Sequence, residues 1–350
     1  MRPSIYQKLL DEIEKIRDER IKTFHLDEIP WTEISDKTSL TDNPSVSVAM
    51  ITYNHEPYID QAIEGVLFQE TDVSIELVIG EDCSTDRTRE IVMKYQKKHP
   101  DIIRVITSDQ NVGAKKNGRR TLQACRGKYI AFCEGDDYWH APNKLQIQCD
   151  FLEKHPEFGL VSTDLDKYDQ RRGILKRNVL HDRHRSFDFD SSPMATFLAI
   201  LDWRYFPGTC TVMVVKRLLD QIVSSDAELY LSNRFLMADT QIFAEIALIS
   251  KVHYIDLSTA TYRISPSSAS KSRNLKRAAK FMLSSVDLKV YLSAKHRCVR
   301  DVVQKYFEWY LRRALVYGVL SRNAGMIKRT VAVMPNLSIK ERFLSFGRYA

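Results

Sequence analysis

The chain has 350 residues, of which 44% are hydrophobic and 28% are charged, and its formal net charge is +7. This length and apolar content support a folded core in one large domain with extensions or in two domains. No uninterrupted apolar run approaches eighteen residues, so the sequence predicts no transmembrane helix.

Residues 1–43 are predicted to form an N-terminal extension. The first 21 residues carry too many charges for a signal peptide. Apolar side chains recur at about helical spacing at Tyr6, Leu9, Leu10, Ile13 and Ile16, which predicts an amphipathic helix followed by a polar connector. The chain lacks a leader pattern, and its six cysteines form no C-x-x-C pair, so we expect a cytoplasmic protein with reduced thiols.

Residues 44–270 are predicted to form an α/β domain. Short apolar segments alternate with amphipathic ones and end in polar clusters. Ser84 and Thr85 are predicted to cap the helix that follows them, and the polar region 165–190 is predicted to be a mobile loop. The predicted strands cover 46–51, 77–80, 128–133, 159–163, 212–215 and 251–255, and helices are predicted through Gln69 and over 87–98, 144–154 and 239–248.

Residues 271–350 have a helical pattern and a strongly basic composition. They contain 18 Lys and Arg against 4 Asp and Glu, a net charge of +14, whereas the preceding 270 residues carry −7. The helices are expected either to cover one side of the sheet as a bundle or to lie on an anionic membrane surface, as a peripheral attachment at its cytoplasmic face. The basic residues are interleaved with apolar helical faces, so no nucleic-acid partner is expected.

Acidic residues follow two of the predicted strands. One strand runs into Glu134, Asp136 and Asp137, and another into Glu81 and Asp82. The carboxyl ends of parallel strands meet at one edge of a sheet, where ligands bind. Three carboxylates there are costly without a cation, and their oxygens suit Mg2+ or Mn2+. A solvated acidic turn is the alternative for the E-G-D-D segment alone; the second acidic strand end favours a metal that holds a phosphorylated ligand.

Five segments carry a family resemblance, and they occur in the expected order within about ninety residues. They are V-S-V-A-M-I-T-Y-N-H, Q-A-I-E-G-V-L-F-Q, E-L-V-I-G-E-D-C-S-T-D-R-T, N-V-G and G-K-Y-I-A-F-C-E-G-D-D-Y-W. From Val46 to about Asp164 the chain resembles the nucleotide-sugar half of family 2 glycosyltransferases, and the likeness continues more loosely to about Ser270. The resemblance implies a GT-A type, Rossmann-like mixed sheet flanked by helices, with a nucleotide-sugar half at 44–164 and an acceptor half at 165–270.

The resemblance also implies which residues bind the nucleotide sugar. Asp82 would contact the nucleoside, and residues after the first strand would line the same pocket; for Tyr53 and Asn54, turn chemistry before a helix is the alternative. The remaining candidates for nucleoside, phosphate or sugar contact are Thr52, Glu56, Lys116, Asn117, Glu134, Asp137 and Arg263.

The family's D-x-D motif is represented by the E-G-D-D segment. Its last acid binds metal, which implies Asp136 as the first metal ligand and Asp137 as the second, because the extra acid leaves the register open by one residue. Glu134 departs from the motif by one methylene. The implied cofactor is Mn2+ or Mg2+.

Asp239 is the candidate catalytic base, because it resembles the acid that opens a helix in the acceptor half of inverting relatives. An Asp at a helix N-terminus is also favoured by capping and by the helix dipole, which is the structural alternative. Glu245 is a weaker alternative base. Pro207, Gly208 and Thr209 are predicted to form a loop over the acceptor.

The sequence therefore predicts an inverting, metal-dependent glycosyltransferase that uses a nucleotide sugar, with UDP as the favoured nucleotide and a cell-surface glycan or lipid-linked precursor as the acceptor. The Q-x-x-R-W motif of processive relatives is absent, because no tryptophan follows an arginine, so short additions are expected. A nucleotidyltransferase is disfavoured because residues 52–55 contain no glycine. A non-catalytic, glycosyltransferase-like binding or scaffold protein is the remaining alternative.

Overall fold

The computed structural model describes residues 29–231, 235–265 and 275–298, together with single positions between 302 and 319. These residues fall into two compact units: 29–231 with 238–265 form the larger one, and 235–237 with 275–298 belong to the other. The predicted N-terminal helix lies outside the described residues, as does most of the basic region after residue 298.

The larger unit is built on a mixed sheet, which has ten strands within the described ranges. The strands are β1 (Thr32–Ile34), β2 (Val46–Thr52), β3 (Ile75–Glu81), β4 (Ile103–Thr107), β5 (Tyr129–Phe132), β6 (Tyr138–Trp139), β7 (Phe158–Asp169), β8 (Ile174–Lys176), β9 (Met213–Val215) and β10 (Lys251–Ile264). The strand order is β1-β4-β3-β2-β5-β9-β7-β10-β6, with β8 paired to β7. Strands β4, β3, β2 and β5 are parallel to one another, and β9 runs antiparallel between β5 and β7.

Helices of the larger unit flank this sheet. The helices are α1 (Ile59–Leu67), α2 (Thr88–Lys98), α3 (Ala114–Ala124), α4 (Lys144–Lys154), α5 (His181–Arg185), α6 (Pro193–Leu201), α7 (Lys216–Ser225), α8 (Ala227–Leu231) and α9 (Asp239–Ile249). Helix α3 packs on β2 and β3, α4 packs on β7, and α9 packs on α6 and α7 as well as on β7 and β10. The predicted α/β class with a mixed sheet and flanking helices is confirmed.

The parallel strands are apolar because they are covered on both faces. In β2, Val46, Val48 and Met50 are fully buried, as expected for central strands of a parallel sheet. Gly80 lets α3 approach β3 closely: a Cβ at this position would overlap the hydroxyl of Thr121 and lie 2.8 Å from Asn117 Oδ1. The resulting packing fixes the strand ends from which the site is built.

Three sequence expectations differ from the structure. The polar connector before residue 44 contains β1, which pairs with β4 and is tied to it by a salt bridge from Arg104 to Glu33 at 2.8 Å. The region 165–190, predicted as a loop, contains the end of β7, the strand β8 and the helix α5. Ser84 and Thr85 do not cap α2; its N-cap is Arg87, and Asp86 Oδ1 accepts a hydrogen bond from the Thr88 N–H at 2.9 Å.

The second unit is represented by the helix α10 (Leu275–Lys295) and a short segment before α9. The backbone N–H of Leu236 donates to Ser284 Oγ at 2.7 Å, and the Phe235 ring lies against Tyr291 with centroids 5.2 Å apart. Among the helices of the described residues, none combines the length and apolar character needed to cross a membrane.

Candidate active site

Three polar segments meet where β2, β3 and β5 end. Thr52 at the end of β2 is paired with Glu81 of β3, and its carbonyl accepts a hydrogen bond from the Asp82 N–H at 3.1 Å. On the other side of β2, the N–H of Gly135 donates to the carbonyl of Ile51 at 3.0 Å. Residues 52–56, 81–87 and 134–137 therefore share one edge of the sheet, where the sequence predicted them to lie.

Asp82 is buried and holds the loop that precedes α3. Its Oδ1 accepts a hydrogen bond from the Val112 N–H at 2.8 Å, and its Oδ2 accepts one from the Gly113 N–H at 2.9 Å. Arg120 lies 3.5 Å from Oδ1. Both carboxylate oxygens thus have partners in the protein, and any contact to a nucleoside would use their remaining lone pairs.

The residues after β2 divide into an exposed aromatic ring and two anchored polar side chains. Tyr53 is 41% exposed. Asn54 Oδ1 accepts a hydrogen bond from the Thr85 N–H at 2.8 Å, and Glu56 Oε2 accepts one from the Arg87 N–H at 3.1 Å. Asn54 and Glu56 therefore join the two loops, whereas Tyr53 is free to face a ligand.

The first turn of α3 contributes the two other predicted contacts. Lys116 is half-buried. Asn117 is 1% exposed; its Nδ2 donates to the carbonyl of Gly80 at 2.6 Å, and its Oδ1 accepts from Arg120 Nε at 2.9 Å. Asn117 consequently lies behind the edge of β3, where its contacts support the position of the strand.

Unsatisfied polar atoms lie beside Gly135 and on the residue before it. A Cβ at this position would lie 2.8 Å from Thr52 Oγ1 and 3.0 Å from His55 Nδ1, so only glycine leaves this space open. Thr52 Oγ1, His55 Nδ1 and Glu134 Oε2 are all buried without a hydrogen-bond partner. Buried polar atoms normally have hydrogen-bond partners, so these three atoms mark a candidate ligand-binding site.

The acids of the E-G-D-D segment differ in environment. Burial, with the nearby charges of Asp136 and Asp239, raises the pKa of Glu134 to about 8. Asp137 is only 3% exposed, and burial beside Asp136 and Glu134 raises its pKa well above the ordinary value. Asp136 is half-buried. A cation would relieve this concentration of negative charge, and the oxygen donors fit Mg2+ or Mn2+.

Arg263 connects this segment to the last strand of the domain. Its backbone N–H donates to Asp137 Oδ1 at 2.8 Å, and its Nη1 donates to the carbonyl of Asp136 at 3.1 Å. Its Nη2 donates to Gln61 Oε1 at 2.5 Å, and the guanidinium lies 4.8 Å from the ring centroid of Tyr58. Arg263 therefore holds the acids in place, and its contact with the donor stays a prediction.

Asp239 lies at the first position of α9, near Glu134. Its Oδ1 accepts a hydrogen bond from the Thr240 N–H at 2.6 Å, and its Oδ2 accepts one from the Thr209 hydroxyl at 3.3 Å. Burial raises its pKa, and the hydrogen bonds from Thr240 and Thr209 oppose that shift. The loop predicted at 207–209 thus touches the candidate base, and Glu245, further along α9, is 5% exposed.

Sequence analysis missed several residues that the structure brings to this edge. His55 has a pKa lowered by burial, against the opposing charges of Asp136 and Asp86, and its Nδ1 faces Gly135. Gln61 and Tyr58 in and before α1 hold Arg263. His55 directly follows the T-Y-N segment, which was the available signal; nothing in the sequence pointed to Gln61.

Comparison with known proteins agrees with this architecture. Residues 47–206 match the model of glycosyl transferase family 2. Staphylococcus aureus TarS 1–349, solved in complex with UDP-GlcNAc, superposes with a TM-score of 0.55 at 17% identity, over 83% of this chain and 82% of that chain. The Pyrobaculum calidifontis mannosyltransferase PcManGT, solved with GDP-Man and Mn2+, gives a TM-score of 0.50 at 16% identity, over 98% and 89% of the two chains.

The fold is that of the GT-A glycosyltransferases. The match to the glycosyl transferase family 2 domain covers a little under half of the chain.

The following sequence relatives each match about a third of the chain. An uncharacterized protein of Mycobacterium tuberculosis is 42% identical over 112 residues, which is 32% of each chain. The putative teichuronic acid biosynthesis glycosyltransferase TuaG of Bacillus subtilis is 37% identical over 31% of this chain and 42% of its own length. The glucosyltransferase WfgD of Escherichia coli is 34% identical over 33% of this chain and 43% of its own length. The chain thus spans less than half the length of these curated relatives.

Proposed function

We propose that the chain is an inverting, metal-dependent glycosyltransferase that moves a sugar from a UDP-linked donor to a cell-surface glycan or its lipid-linked precursor. The observation that carries this proposal is the group of buried, unpartnered atoms around Gly135, bordered by Asp136 and Asp239. A non-catalytic scaffold has no need to keep such costly atoms unsatisfied.

The names of similar proteins support the choice of donor and acceptor. TarS is solved with UDP and with UDP-GlcNAc, and PcManGT with GDP-Man and Mn2+. WfgD is named as a transferase from UDP-Glc to a GlcNAc-diphosphoundecaprenol acceptor. We therefore favour a UDP-sugar donor, and a lipid-linked acceptor as the first to be tested.

The residues present fit a divalent cation. Asp136 would be its first ligand, with Glu134 beside it, because Asp137 is buried and already accepts the N–H of Arg263. When bound, such a cation stabilises the charge that develops on the leaving diphosphate. Thr52 and His55 would then find partners among the ligand's oxygens, and Tyr53 offers an exposed face to the nucleoside base.

The candidate base has a suitable environment. The acceptor oxygen attacks the anomeric carbon as the bond from that carbon to the diphosphate breaks, and Asp239 takes the acceptor's proton. A carboxylate with a raised pKa accepts a proton more readily near neutral pH, and burial raises the pKa of Asp239. The hydrogen bond from Thr209 orients the carboxylate. One displacement with one base inverts the configuration of the transferred sugar.

A donor panel tests the proposal. UDP-Glc, UDP-GlcNAc, UDP-Gal and GDP-Man are assayed for Mn2+-stimulated hydrolysis without acceptor and for donor binding by calorimetry. Asp136→Ala should lose Mn2+-dependent donor binding and turnover, whereas Asp239→Asn should retain donor binding and lose transfer. Asp188→Asn, at an exposed position, is the matched control. If no donor binds or turns over with Mn2+, the scaffold alternative is favoured.

The basic region gives a separate proposal about location. We propose that the protein acts in the cytoplasm and attaches to an anionic membrane surface through residues 271–350, because these carry a net charge of +14. Vesicles with and without anionic lipid should distinguish membrane attachment of residues 271–350 from their packing as a helical bundle on the sheet. Cosedimentation should need anionic lipid and weaken with salt; equal binding to neutral vesicles would contradict the electrostatic attachment.

A further inference from the structure

A second group of side chains that could bind a metal lies away from the edge of the sheet where β2, β3 and β5 end. Asp164 of β7, His181 of α5 and Asp256 of β10 each offer a ligand atom, and these atoms lie within 4.8 Å of one another. Asp256 precedes Arg263 by seven positions along β10, which at about 3.3 Å per residue is about 23 Å. The group is therefore distinct from the E-G-D-D segment.

One carboxylate oxygen in this group is buried and unsatisfied. Asp164 is 1% exposed, and its Oδ1 accepts hydrogen bonds from the N–H groups of Leu165 at 2.6 Å and Leu180 at 2.9 Å. Its Oδ2 is buried without a partner. The hydroxyl of Tyr254 lies 3.3 Å from Asp256 Oδ1 and is also close to Asp164, and burial together with these two carboxyl groups raises the pKa of Tyr254. Its single proton can serve only one of the two carboxyl groups at a time.

The neighbouring acid shows what a purely structural carboxylate looks like here. Asp166, two residues along β7, uses its Oδ1 to accept from the Asn178 N–H at 3.1 Å and from the Ser258 hydroxyl at 2.7 Å. It has no unsatisfied buried oxygen. A buried carboxyl oxygen without a hydrogen-bond partner is costly, and a cation at Asp164 Oδ2 would supply a partner.

We infer that Asp164, His181 and Asp256 form a second divalent-cation site, separate from the donor site. Two carboxylates and one imidazole suit a first-row ion such as Zn2+ or Mn2+, with bonds of about 2.0–2.2 Å and water in the remaining positions. His181 Nδ1 lies 2.6 Å from Asp256 Oδ1, a hydrogen-bond distance. The ion would replace this hydrogen bond, and the neutral imidazole would bind it through Nδ1 with its hydrogen on Nε2.

The site would clamp three elements together. Helix α5 would be held to β7 and β10 through His181. One turn later the buried His184 accepts a hydrogen bond from the Phe206 N–H at 3.2 Å. Residues 207–209 follow directly, and Thr209 donates to Asp239. The clamp thus stabilises the segment that leads to the candidate base; this last consequence rests on the proposed function, whereas the ion site itself does not.

The test counts ions in a protein that lacks the donor-site ligand. Full-length Asp136→Ala is titrated with Mn2+ and with Zn2+, and free Mn2+ is followed by electron paramagnetic resonance. We expect one bound equivalent in Asp136→Ala, none in Asp136→Ala with Asp256→Asn, and one in Asp136→Ala with Asp182→Asn, because Asp182 is an exposed acid on the same helix. Asp256 is exposed, so its substitution should leave the fold intact, which circular dichroism checks.

Two results would overturn the inference. One is that Asp136→Ala binds neither ion; the other is that it binds one equivalent that Asp256→Asn does not remove. Failure of the proposed function is distinguishable, because it would leave the ion count unchanged while no nucleotide sugar bound to the otherwise unaltered chain.

Discussion

Asp137 accepts a hydrogen bond from the backbone N–H of Arg263 at 2.8 Å, although 126 residues separate the two along the chain. The same arginine uses its side chain to hold the carbonyl of Asp136 and the amide oxygen of Gln61. The end of β10 therefore fixes the conformation of the acidic segment. Arg263, Asp137 and Gln61 thus form a hydrogen-bonded frame. Asp136 is left as the acid available to a ligand.

Exchanging the two aspartates for asparagine should separate their roles. Burial beside Asp136 and Glu134 raises the pKa of Asp137 well above its ordinary value. Asparagine can still accept the Arg263 N–H, so Asp137→Asn should lower kcat/KM by less than about tenfold. Asp136→Asn removes a carboxylate expected to hold the cation and should lower it by more than about a hundredfold, a loss of over ~2.7 kcal/mol of transition-state stabilisation. Mn2+ titration of donor hydrolysis measures both. Equal losses of kcat/KM in the two variants would mean that Asp137 also binds the metal.

Arg263→Lys should weaken both the frame and donor binding. Lysine retains the charge, but it cannot reach the carbonyl of Asp136 and Gln61 together, because it lacks the planar fork. Losing these bonds should lower the free energy of unfolding by about 1.5–3 kcal/mol and raise the KM for the donor. Arg172→Lys is the control, since the Arg172 side chain is 75% exposed and lies 3.9 Å from Asp169. Urea denaturation and donor kinetics give the two readouts; stability unchanged from the control would argue against the frame.

The raised pKa of Glu134 predicts a pH dependence with a definite sign. Its pKa is about 8 in the folded protein against an ordinary value of 4.5. Between these values the metal-free folded state holds a proton that the unfolded state has lost. The contribution to stability is therefore fully present below pH 4.5 and is lost as the pH rises towards 8. Because Mn2+ competes with that proton, its affinity should increase over the same range.

Thermal unfolding measured from pH 5.5 to 8.5, with and without Mn2+, checks this expectation. Asp137 and Asp239 also have raised pKa values, so the difference between the unaltered chain and Glu134→Gln isolates the contribution of Glu134. The melting temperature of Glu134→Gln should vary less with pH. Identical pH profiles for the two proteins would show that Glu134 titrates as an ordinary carboxyl.

The sequence predicted the edge of the sheet but not what holds it together. Apolar strands that run into polar residues located Thr52, Asp82 and the acids after β5, because strand periodicity and polarity are local signals. The hydrogen bond between Asp137 and Arg263 depends on the pairing of distant strands, which no local pattern specifies. The unsatisfied atoms at Thr52 and His55 likewise emerge only once Gly135 is placed against them.

The missed elements have similar causes. Strand β1 has only three residues, too few for an alternating pattern, and its position is fixed by the distant pair of Glu33 and Arg104. The region 165–190 has polar side chains, which normally indicate a loop. It is nevertheless held in place by long-range hydrogen bonds: the Leu180 N–H donates to Asp164, and the Asn178 N–H donates to Asp166.

Gly80→Ala should disturb the nucleotide side of the site through the packing of α3. The added methyl would overlap the Thr121 hydroxyl and lie 2.8 Å from Asn117 Oδ1, so α3 must shift or Asn117 must leave the carbonyl of Gly80. Overpacking of this kind costs about 1–3 kcal/mol. Donor affinity should fall as well. Arg120 donates a hydrogen bond to Asn117 and lies 3.5 Å from Asp82, so a shift of Asn117 should also disturb the residue expected to contact the nucleoside.

Gly118→Ala is the matched control for this change. Gly118 lies in the same helix with open space around its Cβ position, so alanine should stabilise the protein by about 0.5–1 kcal/mol. Adding Thr121→Ala to Gly80→Ala removes the overlapping hydroxyl and should restore part of the lost stability. Urea denaturation of the four proteins, with calorimetry of the donor that binds, measures both effects. If Gly80→Ala matched Gly118→Ala in stability, the close approach of α3 to β3 would be refuted.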